Sequence, residues 1–197
     1  VDKSDKIYCL GDYIDRGHDS KGVIDFILQL RSEGYEIHTI RGNHEQMLLD
    51  SIMYEFEIDR WLENGGGETM RSFGIRSLSE LPEKYLSFFR ETKLCIKKEG
   101  FIFVHAGLNF NKKDILEDKD AMLWIRGFDP LQPALKDQIL IHGHTPKSLK
   151  YILNQKGNCI NIDGGCVYNE HKNLGNLVAF DLNERTFVIE KNGELNN

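Results

Sequence analysis

The chain has 197 residues, 40% of them hydrophobic and 28% charged, which is the size and balance of one folded domain or a small pair and excludes a disordered chain. Lysine and arginine total 25 against 31 acids, a net charge of −6, so non-specific nucleic-acid binding is not expected. No apolar run approaches the ~20 residues of a membrane-crossing helix. The four cysteines, Cys9, Cys95, Cys159 and Cys166, form no C-x-x-C pair and read as reduced thiols of a cytoplasmic protein that works away from membranes.

In chain order, Val1-Asp2-Lys3-Ser4-Asp5-Lys6 runs straight into Ile7-Tyr8-Cys9-Leu10, a short apolar run before Gly11 that suits a buried parallel strand. Ser20 is the expected cap of a helix with an apolar stripe at Val23, Ile24, Ile27, Leu28 and Leu30, stopped by Gly34. A strand over Glu36 to Ile40 completes a βαβ unit. A second helix starts near His44, and its Met47, Leu48, Ile52 and Met53 are expected in the core. Gly65-Gly66-Gly67 predicts a turn or mobile loop. Pro82 opens a helix carrying Tyr85, Leu86, Phe88 and Phe89. Leu94 to Lys97 and Phe101 to His105 predict a hairpin around Glu99-Gly100, and Leu177 to Leu182 and Thr186 to Glu190 another around Asn183-Glu184. Ile139 to His142 and Cys159 to Ile162 are short strands. The fold class is therefore α/β with mixed sheets flanked by helices, read as one domain over 1–197 with a helical insert at about 50–90.

Four motifs each follow an apolar strand: Gly11-Asp12-Tyr13-Ile14-Asp15-Arg16-Gly17, Arg41-Gly42-Asn43-His44-Glu45, His105-Ala106-Gly107 and His142-Gly143-His144-Thr145-Pro146. Ligands of α/β sheets bind outside the carboxyl ends of the strands, so loops distant in sequence can converge there. Convergence would gather Asp12, Asn43, His105 and His144. One carboxylate, one amide oxygen and two imidazoles make a mixed N/O shell for manganese, iron or zinc, without the thiolates of a structural zinc site. Taken singly, each such residue is more often a turn, cap or hydrogen-bonding residue. Arg41 and Glu45 are expected to buttress the Asn43 loop through ion pairs, and His142 to be structural.

Gly-Asp-Tyr-Ile-Asp-Arg-Gly followed by Arg-Gly-Asn-His-Glu resembles the calcineurin-like metallophosphoesterases, and within them the bacterial and phage branch of the phosphoprotein phosphatases. Trp61-Leu62-Glu63-Asn64-Gly65-Gly66, His105-Ala106-Gly107, Leu123-Trp124-Ile125-Arg126, Gly143-His144-Thr145-Pro146 and Asn161-Ile162-Asp163-Gly164-Gly165 follow in the same order. The resemblance implies an αββα sandwich with two divalent metals, manganese above all, in the complete enzyme. It implies that Asp12 bridges the metals and that Asn43, His105 and His144 complete one shell. It also implies that His44 is the general acid, that Asp15 orients it, and that Arg16, Arg126 and Asn43 hold the phosphate, with Tyr168 as the aromatic near the substrate. Arginine forks match phosphate oxygens, and a carboxylate behind an imidazole fixes its orientation.

The family's opening Gly-Asp-x-His-Gly motif, which binds the first metal, is not matched: no Asp-x-His occurs in the sequence, and Glu36-Ile37-His38 reads as ordinary strand. The expectation is a longer enzyme of which the first βα unit is missing here. The leading functional expectation is a serine/threonine protein phosphatase that uses a metal-activated water. The alternative is a symmetrical dinucleoside tetraphosphate hydrolase, and a third reading is a non-catalytic pseudophosphatase or inactive fragment. The expected substrates are thus a phosphorylated protein or a nucleotide. Tyr54, Phe56, Trp61 and Phe73 of the insert are the aromatics available to an adenine.

Overall fold

A computed structural model describes residues 1–193. The chain divides into two compact units, Val1–Leu94 and the part from Cys95 onward.

In the first unit, β1 (Lys6–Cys9), α1 (Ser20–Ser32) and β2 (Glu36–Thr39) form the βαβ unit, with the strands parallel and Ile7 opposite Ile37. Ile24 and Ile27 of α1 are buried, while Val23 and Phe26 are exposed. The cap is Asp19, not Ser20: its carboxylate accepts the Gly22 N–H at 2.9 Å. Asp19 reaches the third helical N–H, which is the geometry of an N-cap. Ser20 is drawn inward instead, its hydroxyl 3.2 Å from that of Thr69. At Gly34 φ is +93°, the left-handed turn that ends the helix. His38 pairs with Glu36 at 2.8 Å and stacks on Tyr8, as ordinary strand residues do.

After β2 come α2 (Asn43–Met53), a 3-10 turn (Glu55–Glu57), α3 (Ile58–Trp61), a π turn (Leu62–Gly66), α4 (Gly67–Phe73), a 3-10 turn (Leu78–Glu80) and α5 (Glu83–Glu91). Pro82 stands at the N-cap of α5, whose Tyr85, Phe88 and Phe89 are buried. Met47 and Leu48 of α2 are in the core, but Ile52 and Met53 are exposed, which corrects the expected stripe. The buried position in the last turn of α2 is taken by Ser51, whose hydroxyl donates to the Met47 carbonyl at 2.8 Å. The three glycines also depart from expectation. They are a kink inside continuous helix, with φ at Gly65 of +104°. A Cβ on Gly65 would lie 2.9 Å from the Arg16 nitrogen, and one on Gly66 would lie 2.5 Å from the Trp61 indole. The glycines thus permit close packing and do not make a loose loop.

In the second unit, β3 (Cys95–Lys98) and β4 (Phe101–Val104) form an antiparallel hairpin, followed by α6 (Lys119–Trp124), β5 (Ile139–His142), α7 (Leu149–Asn154) and β6 (Cys159–Asn161). The sheet order is β3-β4-β5-β6, with β4, β5 and β6 mutually parallel. All four residues of β4 are buried, which explains its unbroken apolar run. Positive φ at Glu99 and Gly100 gives the tight primed turn suited to a two-residue hairpin. The expected second hairpin is β7 (Asn176–Asp181) with β8 (Thr186–Lys191), antiparallel.

Cys9, Cys95 and Cys159 are free thiols. Burial pushes Cys9 up to about 11 and Cys159 up to about 12. Both therefore stay protonated, and so unreactive, at pH 8. Peptide mass spectrometry after brief iodoacetamide treatment at pH 8 should find both unmodified in the folded protein and modified in 6 M guanidinium. Rapid labelling of either in the folded state would contradict the packing. Among the described residues no helix is long and apolar enough to cross a membrane.

Candidate functional site

In the first unit the two motif loops leave the carboxyl ends of β1 and β2. Gly11 and Gly42 let them lie against each other: a Cβ on Gly11 would stand 2.4 Å from the Gly42 nitrogen, and one on Gly42 would stand 2.2 Å from Asp12 Oδ1. Asp12, Asp15 and Arg16 have φ of +57°, +72° and +60°. Three left-handed non-glycine residues in five positions form a cluster of the kind that gathers at sites of function.

Glu45 holds this arrangement together. It is fully buried at the third position of α2. Its Oε1 accepts the Tyr13 N–H at 2.7 Å, and Oε2 accepts those of Asp12 at 2.9 Å and Gly42 at 2.8 Å. Burial, with the nearby Asp12 carboxylate, pushes Glu45 up to about 7, and the backbone donors of Asp12 and Gly42 pull the other way. The Tyr13 hydroxyl donates to the carbonyls of Cys9 and Ile40 at the ends of the two strands, at distances of 2.9 and 2.8 Å. The expected ion pairs are replaced by these backbone contacts. Arg41 likewise donates to the carbonyls of Arg90 and Thr92, to the Thr92 hydroxyl and to Gln46.

His44 and Asp15 meet in a hydrogen bond. His44 Nδ1 lies 2.7 Å from Asp15 Oδ2, and both side chains are buried. Oδ2 also accepts the Trp61 indole N–H at 3.0 Å, and Oδ1 accepts the Thr69 hydroxyl at 2.6 Å. The Asp15 N–H returns to Thr69 Oγ1 at 2.9 Å and to Ser20 Oγ at 3.2 Å. Asp15 is therefore fixed through both oxygens, and its bond to Nδ1 leaves Nε2 as the other proton-carrying atom of His44. Burial opposes charging His44, but the Asp15 bond and the charges of Asp12 and Asp15 outweigh it and raise its pKa above the usual 6.5. Asn43 is buried at the start of α2, and Arg16 is exposed.

Trp61, Thr69, Ser20 and Tyr13 were not singled out from the sequence for this role. The signal for Trp61 was its place in the Trp61-Leu62-Glu63-Asn64-Gly65-Gly66 motif, whose Gly66 makes room for the indole. Trp61→Phe removes a donor to a buried carboxylate and should lower stability by about 2–3 kcal/mol in urea unfolding. A change under about 0.5 kcal/mol would mean that the indole bond contributes nothing.

In the second unit His105 follows β4, and His144 lies two residues beyond the end of β5, with φ of +67°. Both are buried, with His105 Nε2 and His144 Nδ1 3.1 Å apart. The Gly143 N–H donates to the His105 carbonyl at 2.7 Å and ties the two strand ends. The Asn161 amide donates to the Thr145 carbonyl at 3.1 Å, and the Lys147 N–H to the Asp163 carbonyl at 2.8 Å. The Asn161-Ile162-Asp163-Gly164-Gly165 loop thus braces the His144 loop. The edge of Trp124 packs on His144 at 6.2 Å. Burial pushes His142 down to about 4, so it is a neutral ring packed at 5.0 Å on Phe128. Arg126 is exposed just after α6, and Tyr168 is half-buried with its ring at 5.9 Å from His171.

Residues 1–183 match the family of calcineurin-like phosphoesterases. The chain belongs to that family. The calcineurin-like phosphoesterases are metal-dependent hydrolases, and the mixed α/β architecture agrees. Over 93% of its length the chain is 28% identical to the asymmetrical bis(5'-nucleosyl)-tetraphosphatase PrpE of Oceanobacillus iheyensis, 76% of which is covered. Over 53% of its length it is 28% identical to the symmetrical bis(5'-nucleosyl)-tetraphosphatase of Nitrosospira multiformis, covering 34% of that protein. A crystal structure of a candidate diadenosine tetraphosphatase shares the fold, with a TM-score of 0.60, 16% identity, and coverage of 95% of this chain and 81% of that one. These names stand closer to the dinucleotide expectation than to the serine/threonine phosphatase.

Proposed function

We propose that this chain is one phosphoesterase domain, a metal-dependent hydrolase of dinucleoside tetraphosphates. The observation that carries the reading is the His44–Asp15 pair, held at 2.7 Å in a chain whose near-full-length relative is named for that substrate. The free thiols Cys9, Cys95 and Cys159 support a cytoplasmic location.

The donor chemistry fits a divalent cation. Two nitrogens each about 2.0–2.1 Å from one ion stand roughly 3 Å apart, and those of His105 and His144 are 3.1 Å apart. His105 and His144 would hold the cation, with manganese favoured and iron or zinc also suited to the donors. Bound there, the cation would supply Lewis-acid charge against phosphate oxygens.

The chain's own residues do the rest. Arg16 and Arg126, both exposed, would pair with phosphate oxygens through their planar forks. The amide end of α2 favours negative charge beside Asn43. Asp15 accepts the Nδ1–H bond and favours the imidazolium form of His44, whose Nε2 proton can then pass to the departing oxygen. In a dinucleoside tetraphosphate that oxygen belongs to a nucleotide phosphate, which leaves readily as an anion.

The test is chromatography of products after incubation with Mn²⁺ and diadenosine tetraphosphate, beside a phosphoserine peptide. Two ADP would indicate symmetrical cleavage, and ATP with AMP would indicate asymmetrical cleavage. Peptide dephosphorylation without dinucleotide turnover would overturn the proposal.

A further inference from the structure

We propose that Tyr54 and Phe56 form a stacking platform for the distal nucleobase of the dinucleotide, an inference that rests on the proposed substrate class. Of the four insert aromatics, two are consumed by the fold. Trp61 is fully buried on Asp15, and Phe73 packs edge-on against Tyr85 at 4.8 Å. Tyr54 and Phe56 are not: they are 48% and 78% exposed, beside Met53 at 70%. Their ring centroids are 5.7 Å apart with planes inclined by 31°, a tilted pair and not an edge-to-face one. Three exposed apolar side chains of this size within four positions mark a surface meant to be covered. Aromatic faces with an adjacent methionine suit a flat, sequence-tolerant guest such as a base.

Position selects the guest. The platform begins at the residue after α2, the helix that starts with Asn43 and His44. Eleven helical residues set the two ends of α2 about 15 Å apart, a span that a nucleoside carrying two or three phosphates bridges and that a single phosphoester does not. Charge narrows the choice further. The segment that carries the rings holds Glu55, Glu57, Asp59 and Glu63 against Arg60 alone. This acidic setting repels a nucleic-acid backbone or an anionic lipid surface. It accepts hydrogen bonds from the exocyclic amine of a purine, and leaves the polyphosphate to the arginines and the cation.

The experiment compares kcat/KM for diadenosine tetraphosphate with that for p-nitrophenyl phosphate, which is too short to reach the end of α2. It uses the parent protein with Mn²⁺ and the double variant Tyr54→Ser/Phe56→Ser. Both substituted rings are exposed, so folding should be retained, and circular dichroism checks this. The ratio should fall about 10-fold or more through KM for the dinucleotide. A variant that keeps the aromatic faces, Tyr54→Phe/Phe56→Trp, should restore it. A ratio within 2-fold of the parent's overturns the platform, as does a parent dimer that dissociates in the serine variant while KM is unchanged. A parent that turns over p-nitrophenyl phosphate but not the dinucleotide overturns the proposed substrate itself, a result distinguishable from failure of the platform alone.

Discussion

Replacing His44 with Asn should reduce hydrolysis of an alkyl phosphomonoester by ~100-fold or more in the Mn²⁺-loaded protein. The same change should reduce turnover of diadenosine tetraphosphate by a clearly smaller factor. The difference follows from the leaving groups. An alkoxide is a strong base and cannot depart at neutral pH without a proton, whereas a phosphate monoester has its last ionisation at about 6. His44 is placed to give that proton: Asp15 engages Nδ1 at 2.7 Å and in turn takes bonds from Trp61 and Thr69. Steady-state kinetics on both substrates, with metal content measured by elemental mass spectrometry, decide the matter. Equal loss on both would mean that His44 acts through positioning and not as an acid. Activity near the parent's on the alkyl ester would remove it from the chemistry.

Glu45→Ala should be the most destabilising single change in the first unit, lowering Tm by ~10 °C or more. The carboxylate satisfies three backbone N–H groups, those of Asp12, Tyr13 and Gly42. Each buried donor left without an acceptor costs about 1–3 kcal/mol, and a domain of this size loses about 2–4 °C per kcal/mol. Glu45→Gln should rescue only part of the loss, because the amide NH₂ faces a donor where Oε1 or Oε2 accepted. Scanning calorimetry of the two variants tests this. A Tm within 3 °C of the parent's for the alanine variant would show that the loops stand without Glu45.

Much of the architecture was legible because periodicity and punctuation agree. The βαβ unit, the Glu99-Gly100 hairpin and the parallel strands β5 and β6 all announce themselves through apolar runs bounded by glycine or charge. The His44–Asp15 contact was accessible only through motif resemblance, since 29 residues separate the partners. Two kinds of feature were not readable. The first is which of two adjacent capping residues wins: Asp19 and Ser20 are both good caps, and only the placement of Thr69 beside Ser20 decides. The second is where an apolar stripe runs out of partners. Ile52 and Met53 continue the period of Met47 and Leu48, yet periodicity assigns a face without saying how far the covering surface extends. Glu45 combines both difficulties, being a charged residue whose partners are backbone groups, two of them 32 and 33 positions away.

The sequence contains two tryptophans, and each unit holds one beside its own share of the strand-end motifs: Trp61 bonded to Asp15, and Trp124 edge-on to His144. Indole emission is quenched by a nearby protonated imidazole and shifts in colour with local polarity. The protein thus carries two intrinsic optical reporters, one for the acid–base pair and one for the histidine cluster. A single-tryptophan variant at either position would allow proton and cation arrival at each unit to be followed separately by fluorescence, without an attached dye.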